Sequence, residues 1–340
     1  MRVSLPYKIL IDDHITEQVD EFLRSAGLGK QCALFCDPAI YQLFGKTVTD
    51  ALPSFSVTVI DTGSTEKNNV QALAARCADA DFIIGMGGGR TTDIAKYAAT
   101  LSGKEWVALP TILSHDGVVS SRAVLSENGS KISVEAKEPF AIIADLATIR
   151  NAPYRYLAAG AGDLISNFAA TEDWKIADKA GKEQYHAVMA KLSLLAAETV
   201  AEHIPEIRSR TRHGVEMLLW SLICSGFAMN IYGSSRPCSG SEHNFSHALE
   251  EAGSKALHCE QVALGTVIST YLQHGDWERI RSLLTELQLP TTAAGLGISA
   301  DNAVGALVAA RTIRERYTIL NEYTINREKA KDILSRCGII

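Results

Sequence analysis

The chain has 340 residues, of which 46% are hydrophobic and 21% charged, and 33 Lys and Arg against 39 Asp and Glu give a net charge of −6. This composition is typical of a globular protein and excludes disordered, collagen-like and coiled-coil classes. No run of basic residues is suited to follow a phosphate backbone, so nucleic acid is not expected as a partner.

The start of the chain lacks the features of a secretory signal. Lys8, Asp12 and Asp13 interrupt it, and it has no apolar run of about 7 to 15 residues. The most apolar stretch, residues 217–233, contains polar residues and falls short of the roughly 20 residues that cross a bilayer, so we expect a buried helix and no membrane insertion. Seven cysteines without a C-x-x-C pair indicate free thiols. We therefore predict a cytoplasmic protein.

The sequence pattern changes near residue 150. Before it, short apolar runs alternate with helical stretches, which is typical of a parallel sheet with crossover helices. After it, stretches of helical period dominate. We predict an N-terminal Rossmann-like α/β domain over residues 1–150 and an all-helical domain over residues 151–340, with the site in the cleft between them. The predicted strands are 32–35, 56–60, 82–85, 106–109 and 140–145, and the predicted helices are 15–26, 69–78, 187–203, 215–231, 259–273 and 303–316.

A glycine-rich turn follows the third predicted strand. Gly87, Gly88 and Gly89 precede a helix, so the backbone can approach a ligand closely at a helix N-terminus, which suits a pyrophosphate. Arg90 stands where the fingerprint G-x-G-x-x-G has its third glycine, and the P-loop ending is also lacking. We interpret the turn as a ligand site that matches neither standard motif; a tight turn without a ligand is the alternative.

Asp37 ends the first predicted strand of the α/β half. A carboxylate at this place accepts hydrogen bonds from ribose hydroxyls and repels a 2′-phosphate. On spacing alone, an Asp-Pro turn former is an equal alternative.

Potential metal ligands cluster in the second half. His243 and His247 have the i, i+4 spacing of one helix face, on a helix that Ser241 could cap, and His258 follows 11 residues after His247. Asp163 supplies a carboxylate in an Ala-Gly-Ala-Gly-Asp run whose glycines permit close approach of another element. One carboxylate and two imidazoles with open positions are the ligands of a catalytic metal. For each residue alone, a structural role is the alternative.

Residues 109–120 form another dense polar cluster, in which an apolar strand leads to several hydroxyl, imidazole and carboxylate groups. Loops at strand ends hold binding residues on a rigid scaffold. Composition does not assign their individual roles. These polar residues are Thr111, Ser114, His115, Asp116 and Ser120.

Together these segments resemble the sn-glycerol-1-phosphate dehydrogenase family, a branch of the superfamily of glycerol dehydrogenase, iron-type alcohol dehydrogenases and dehydroquinate synthase. The turn Gly-Gly-Gly-Arg-Thr-Thr-Asp-Ile-Ala-Lys is similar to the superfamily's GGGxxxDxAK loop. More discriminating are Leu-Pro-Thr-Ile-Leu-Ser-His-Asp-Gly around Asp116, Gly-Asp-Leu-Ile-Ser-Asn-Phe at Asp163 with Asp173-Trp174 beyond, and Ser-Arg-Pro-Cys-Ser-Gly-Ser-Glu-His-Asn-Phe-Ser-His ending at His247. The resemblance spans about residues 30–270.

The resemblance implies reversible NAD(P)H-dependent reduction of dihydroxyacetone phosphate to sn-glycerol 1-phosphate, a step of phospholipid metabolism, by a homodimer. It implies a metal site of Asp163, His243 and His258, with zinc as the usual ion and nickel or iron as alternatives. Asp116, Asp163 and His247 match positions that touch substrate, and we assign them the catalytic roles. The expected dinucleotide contacts are Asp37, Gly87, Gly88, Gly89, Arg90, Thr91, Thr92, Asp93, Thr111, Ile112, Leu113, Ser114 and Ser120.

Two positions refine these expectations. The family's usual His-Gly-Glu reads His258-Cys259-Glu260 here, and a thiolate at Cys259 would favour a softer metal or make the site sensitive to oxidation. Relatives often lack an acidic residue where this chain has Asp37, which predicts a preference for NADH over NADPH.

The expected reaction also implies roles for His247 and Arg236. The metal would stabilise negative charge on the ketone oxygen, and His247 would hydrogen-bond a substrate hydroxyl or relay a proton. Arg236 is the candidate for binding the substrate phosphate, because it lies close to the metal helix and a guanidinium fits phosphate bidentately. A surface arginine before Pro237 is the equal alternative.

Three other functions remain open. A glycerol dehydrogenase would carry out the same chemistry on an unphosphorylated polyol. A lyase of the dehydroquinate synthase type would need a denser set of Lys and Arg in the helical half. A non-catalytic nucleotide-binding regulator would require a vestigial metal site.

Overall fold

The computed structural model describes residues 6–340. The first five residues, which belong to the segment judged not to be a signal peptide, lie outside the described part. The described chain divides into two compact units. Residues 6–113 and Gly117–Pro153 form the first, and Ser114–Asp116 with Tyr154–Ile340 form the second. The sequence-based boundary after residue 150 stays a prediction.

The first unit is built on a parallel sheet. Its strands, with an added hairpin, are β1 (Lys8–Asp12), β2 (Gln31–Cys36), β3 (Ser56–Asp61), β4 (Phe82–Gly87), β5 (Glu105–Pro110), β6 (Arg122–Glu127), β7 (Ser130–Glu135) and β8 (Ala141–Asp145). Six of them pair in the order β1-β8-β5-β4-β2-β3, with every pairing parallel. This sheet, followed by a mostly helical second unit, confirms the predicted fold class, and all five predicted strands are present.

The hairpin of β6 and β7 was not predicted. The two strands are antiparallel and are joined by Asn128-Gly129, whose φ angles are 53° and 80°. Two positive φ angles identify the type I′ turn that Asn-Gly favours. Asn-Gly between two short strand-like runs was therefore a readable signal of this hairpin. Strand β1 was missed as well, because its five residues include a charge at each end.

Six helices accompany the sheet. The predicted helix 15–26 begins as a 3₁₀ turn and continues as the first of them, and its stripe of Ile15, Val19 and Leu23 packs on the sheet as expected. Between the second and third helices, Tyr41–Gly45 adopts a π-helical turn. The six are α1 (Val19–Ala26), α2 (Pro38–Ile40), α3 (Lys46–Asp50), α4 (Lys67–Ala75), α5 (Gly89–Ser102) and α6 (Leu146–Asn151).

The second unit is helical. Three of its four predicted helices are confirmed, but the helix predicted over 303–316 ends at Ala309. Beyond it, the side chains of Arg314 and Arg316 bond to Ser239, and these tertiary contacts override the local helix propensity. The helices are α7 (Tyr154–Ile165), α8 (Asn167–Lys179), α9 (Ala187–Glu202), α10 (Ile204–Arg208), α11 (Arg212–Tyr232), α12 (Ser241–Glu251), α13 (His258–Leu272), α14 (Trp277–Glu286), α15 (Ala300–Ala309) and α16 (Arg327–Arg336).

Helix α11 contains the apolar stretch noted in the sequence. It has 21 residues, and its most apolar 18-residue window has a mean hydropathy of 1.4, so by length and composition it could cross a membrane. However, 67% of the apolar window is buried inside the protein, and the core helix of a globular protein passes the same length and composition test. The interpretation as a buried helix is confirmed.

Candidate active site

The glycine turn connects β4 to α5 in a space that admits no side chain. A Cβ at Gly88 would lie 2.6 Å from Cδ1 of Ile112, and one at Gly87 would lie 2.7 Å from Oγ1 of Thr91. Gly87 also has a φ of 156°, which other residues rarely adopt. Glycine is therefore strongly favoured at Gly87, a Cβ at Gly88 would require Ile112 to move, and α5 starts immediately after them.

Thr111 links β5 to this turn. Its amide donates to the carbonyl of Gly87 at 3.0 Å. Its hydroxyl is buried and has no hydrogen-bond partner among the described residues. An unpartnered buried hydroxyl costs free energy. A bound dinucleotide that satisfied it would recover this cost, so the turn fits the predicted cofactor.

Asp37 lies beside the same turn and is held by three donors. Its carboxylate accepts from Nη2 of Arg90 at 2.6 Å, from the hydroxyl of Thr62 at 2.9 Å and from that of Thr91 at 3.3 Å. Burial alone would raise the pKa of Asp37, but these hydrogen bonds hold it below the usual value. Asp37 is therefore a charged carboxylate at neutral pH, as a ribose-binding role requires.

Several of the remaining predicted dinucleotide residues are buried. Asp93 accepts from the amide of Val124 on β6 at 3.2 Å. Lys96, which is not one of the predicted contacts, donates to the carbonyls of Gly117 at 2.5 Å and Ser120 at 3.0 Å and so holds the loop after β5 in position. Thr92 and Leu113 are buried, Ile112 is half-buried beside Gly88, and Ser114 belongs to the second unit.

The predicted metal ligands converge within the second unit. Helix α7 carries Asp163, α12 carries His243, and α13 begins at His258. Nε2 of His243 lies 3.8 Å from Oδ1 of Asp163, and the rings of His243 and His258 have centroids 5.3 Å apart. The close approach predicted from the glycines is seen at Gly162, where a Cβ would lie 2.6 Å from Leu289.

Two glutamates that sequence reasoning missed orient the imidazoles. Nδ1 of His243 contacts Oε1 of Glu242 at 2.8 Å, and Nδ1 of His258 contacts Oε1 of Glu250 at 3.1 Å. Metal-binding histidines commonly use one ring nitrogen to bond a carboxylate, which leaves the other for the ion. Here Nε2 remains on both rings. The position of Glu250, three residues after His247 on one helix, was the available signal.

A second grouping shares one of these ligands. His247, Glu250 and His258 each place a ligand atom within 4.8 Å of the others. Glu250 already bridges Nδ1 of His258 and, at 3.5 Å, Nδ1 of His247. In the set of Asp163, His243 and His258, Nε2 of both imidazoles is likewise available for an ion, and this set stays a prediction that the family resemblance supports. One carboxylate and two imidazoles suit a divalent borderline cation.

The electrostatics of the cluster fit the same role. Burial, with the nearby charge of Asp116, raises the pKa of Asp163 well above its usual value. Burial, with the neighbouring His258, lowers the pKa of His243 well below its usual value. Neutral imidazole is the form that binds metals, and a cation would offset the cost of burying the carboxylate.

Cys259 is a protonated thiol. It is buried, it donates a hydrogen bond to Asp163, and burial together with that carboxylate raises its pKa well above the usual value. Reactive cysteines are exposed thiolates in electropositive surroundings. The structure thus does not favour the thiolate considered from the sequence, and we expect low sensitivity to oxidation here.

The substrate-contacting residues predicted in this unit lie side by side. The amide of Asp116 donates to Oδ2 of Asp163 at 3.1 Å, and Oδ2 of Asp116 accepts from the hydroxyl of Ser225 at 2.9 Å. His247 lies one helical turn beyond His243 and is half-buried. The cluster therefore combines metal ligands with groups able to bond substrate hydroxyls.

The start of α12 is fixed differently from the prediction. Ser241 does not cap it, because its hydroxyl bonds that of Ser269 at 2.6 Å. Asp173 instead accepts from the amide of Ser241 at 2.6 Å, and Glu242 accepts from the amide of Gly240 at 2.5 Å. A Cβ at Gly240 would lie 2.5 Å from Oδ2 of Asp173, so the glycine admits the carboxylate.

We expect the buried carboxyl group of Asp173 to make the free energy of unfolding depend on pH. Burial and the charge of Glu242 raise its pKa to about 6, against about 4 for an aspartate in an unfolded chain. Between these values the folded protein keeps a proton that the unfolded chain has lost, so the free energy of unfolding falls as pH rises, by up to about 3 kcal/mol. Asp173→Asn removes this contribution. The melting temperature of wild type minus that of the variant should shrink from pH 4 to 6, and parallel pH profiles would contradict the assignment.

Arg236 lies inside the second unit. Its exposed fraction is 0%, its Nη2 donates to the carbonyls of Asp173 at 2.7 Å and Tyr317 at 2.9 Å, and its Nε lies 3.3 Å from a carboxylate oxygen of Glu183. The alternative of a surface arginine is wrong. The phosphate role stays a prediction, but these contacts are those of a structural anchor.

The chain is similar to known proteins both in sequence and in fold. Residues 10–153 match the model of the family described as iron-containing alcohol dehydrogenase. Over the full length, the chain is 39% identical to the glycerol-1-phosphate dehydrogenase [NAD(P)+] of Thermococcus kodakarensis, covering 99% of this chain and 98% of the relative. The chain belongs to the glycerol-1-phosphate dehydrogenase family. The family's member from Methanosphaera stadtmanae is 36% identical over the same shares.

Solved structures show the same fold at lower identity. A probable glycerol dehydrogenase from Sinorhizobium meliloti aligns with a TM-score of 0.82 at 21% identity, covering 99% of this chain and 97% of that one. A sulfoacetaldehyde reductase from Bifidobacterium kashiwanohense in complex with NAD⁺ aligns with a TM-score of 0.78 at 16% identity, covering 99% and 98%. The family fold extends over the whole chain.

Proposed function

We propose that this chain catalyses the reversible NAD(P)H-dependent reduction of dihydroxyacetone phosphate to sn-glycerol 1-phosphate. One observation carries the proposal: Asp163, His243 and His258 converge in a chain 39% identical to a glycerol-1-phosphate dehydrogenase over nearly its full length. In the reaction the carbonyl carbon receives a hydride from the reduced nicotinamide, and the carbonyl oxygen takes up a proton.

Five side chains of the second unit are assigned to the cation or to the substrate. Asp163, His243 and His258 would hold a divalent cation, which supplies Lewis-acid polarisation of the ketone oxygen when bound. Asp116, fixed by Ser225, accepts a hydrogen bond from a substrate hydroxyl. His247 is half-buried, and burial lowers its pKa, so it is neutral at physiological pH and can relay a proton. Zinc is the proposed ion, because two nitrogens and one oxygen are ligands that it favours.

In the first unit, the glycine turn takes the pyrophosphate and Asp37 takes the adenosine ribose. NADH is the preferred cofactor, because the ionised Asp37 repels a 2′-phosphate. Arg90, bonded to Asp37, moderates this repulsion. Comparable kcat/KM for NADH and NADPH would refute the preference.

Replacing Asp37 by asparagine tests this arrangement. The substitution removes the repelling charge and releases Arg90 to pair with a 2′-phosphate, so the ratio of kcat/KM for NADPH to that for NADH should rise about tenfold or more. Asp50→Asn, an exposed site on α3, is the matched control and should leave the ratio unchanged. An unchanged ratio in Asp37→Asn would remove Asp37 from the cofactor site.

The protein is proposed to act in the cytoplasm. All seven cysteines are free thiols, as predicted, and free thiols are typical of a reducing compartment. The homodimer implied by the family resemblance stays a prediction.

Side-by-side assays test the proposed function. With NADH and the metal-loaded enzyme, kcat/KM for dihydroxyacetone phosphate should exceed that for dihydroxyacetone by about a hundredfold, since a site built for a phosphate is left unpaired by the shorter substrate. The reverse order would identify a polyol dehydrogenase of the kind suggested by the fold neighbours. Turnover of neither substrate would support the regulator.

A further inference from the structure

Two arginines of the second unit have no assigned role. Arg314 and Arg316 lie between α15 and the 3₁₀ turn Ile319–Glu322, in the segment where the predicted helix does not form. Both are half-buried. Their backbone segment is irregular, so their side chains and not a helix determine where it lies.

Both side chains are tied to the start of the metal helix. Arg314 donates from Nε to Oδ1 of Asn244 and from Nη2 to Oγ of Ser239 at 2.8 Å and to the carbonyl of Gly240 at 3.1 Å. Arg316 donates from Nη1 to the carbonyl of Ser239 at 2.5 Å. Asn244 is the residue after His243, and the charge of Arg314 contributes to the lowered pKa of His243.

The two cations are not neutralised by direct pairing. Within the described part of the chain, every hydrogen bond that they donate goes to an uncharged oxygen. Nearby Glu242 and Asp173 already accept from the backbone amides of Gly240 and Ser241. Two like charges held side by side in partial burial repel each other, and the nearby charges of Glu242 and Asp173 offset only part of the resulting shift in the pKa of either arginine.

The electrostatics agree with this picture. Burial, with the charge of Arg316, lowers the pKa of Arg314 well below its usual value, and burial with the charge of Arg236 lowers that of Arg316 to about 10. Arg316 therefore remains a cation at neutral pH. Their positive field reaches His243, where it contributes to the lowered pKa.

Nη1 of Arg314 is available to donate hydrogen bonds to a ligand. Its Nη1 makes no hydrogen bond with a described residue, yet it is not among the buried unpartnered atoms, so it reaches solvent. Arg236 differs, because its Nε and Nη1 are shut off from solvent. A planar guanidinium with free donors matches the oxygens of a phosphate monoester.

We propose that Arg314 and Arg316 bind the phosphate group of the substrate. The proposal rests on the function proposed above and deepens it. The ketone of dihydroxyacetone phosphate is joined to its phosphate by a short linker, so a phosphate held beside Asn244 keeps the ketone near His243. An anion at this place also relieves the repulsion between the two guanidiniums.

Arg316→Gln is the main test, because Arg316 makes two hydrogen bonds near the start of α12 and Arg314 makes three. In the metal-loaded enzyme, kcat/KM for dihydroxyacetone phosphate should fall about 10- to 100-fold, since a hydrogen bond to a charged group is lost, while that for dihydroxyacetone changes little. Arg314→Lys, which keeps the charge but not the fork, should show a smaller loss of the same kind. Arg311→Gln, an exposed residue of the same segment, is the matched control and should leave both values unchanged.

Inorganic phosphate gives a second readout that separates binding from structure. It should compete with dihydroxyacetone phosphate in the wild type, and its inhibition constant should rise in Arg316→Gln by the same factor. Equal losses on both substrates, or phosphate inhibition unchanged in the variant, would overturn the role. A wild type that prefers dihydroxyacetone would instead overturn the proposed function and, with it, this site.

Discussion

Replacing His243 by alanine is expected to lower kcat/KM for dihydroxyacetone phosphate by about a thousandfold or more. The imidazole is one of three proposed ligands, and Lewis-acid stabilisation of the developing negative charge is worth several kcal/mol, with each 1.4 kcal/mol equal to about a factor of ten. Its Nε2 lies 3.8 Å from the carboxylate of Asp163, so these two proposed ligands face the same centre, and the substitution removes one of them. Steady-state kinetics and metal analysis of the purified variant measure the effect.

The control for this substitution is His213→Ala, at an exposed position near the start of α11. It should retain wild-type metal content and activity. A graded effect is expected for Glu250→Gln, because Glu250 is not a proposed ligand but bonds Nδ1 of His258 and of His247, and such orienting partners are worth about 10- to 100-fold in metal affinity. A His243→Ala protein that kept its metal and its activity would show that the ion, if bound, lies elsewhere.

Replacing Arg236 by alanine is expected to destabilise the second unit by about 3 kcal/mol or more. The substitution leaves the carboxylate of Glu183 without its ion-pair partner and the carbonyls of Asp173 and Tyr317 without a donor. Removing one member of a buried, hydrogen-bonded charge network lowers the free energy of unfolding by about this amount, because the groups left behind have lost their partner and are shielded from water. A lowered melting temperature, measured by circular dichroism, is the readout.

Arg311→Ala should melt like the wild type, because its side chain is exposed. Arg236→Lys should recover only part of the loss, since an ammonium does not reach two carbonyls and a carboxylate in the same fork geometry. If Arg236→Ala instead kept its stability and raised only KM for the phosphorylated ketone, the role assigned from the sequence would be right and the anchoring role wrong.

The sequence predicted those features that depend on local pattern. The strand leading into three glycines, the i, i+4 spacing of His243 and His247, and the change of pattern near residue 150 each follow from periodicity and from the conformational range of glycine. The family resemblance selected His258, rather than His247, as the second imidazole of the ligand set, with Asp163 as the carboxylate. The structure brings these ligands together, although they come from three different helices.

The features that the sequence did not reveal depend on contacts between distant segments. Asp173 supports the start of α12 from α8, and no local rule connects these positions. The prediction that Ser241 caps its own helix failed for that reason. Likewise, the arginines after Ala309 read as helix formers, but their bonds to the segment before α12 determine the conformation.

The missed hairpin differs from these features, because its signal is local. Its Asn128-Gly129 turn joins two six-residue strands, and Asn-Gly between strand-like runs is a hairpin signal that can be read from sequence alone.

The most direct test of the account is NADH oxidation by dihydroxyacetone phosphate in protein stripped of metal by a chelator and then titrated with zinc. We predict that activity disappears on stripping, returns in proportion to bound zinc up to one ion per chain, and yields sn-glycerol 1-phosphate as the sole enantiomer. Full activity in protein shown to be metal-free, or a product of the opposite configuration, would contradict the proposed site and its reaction.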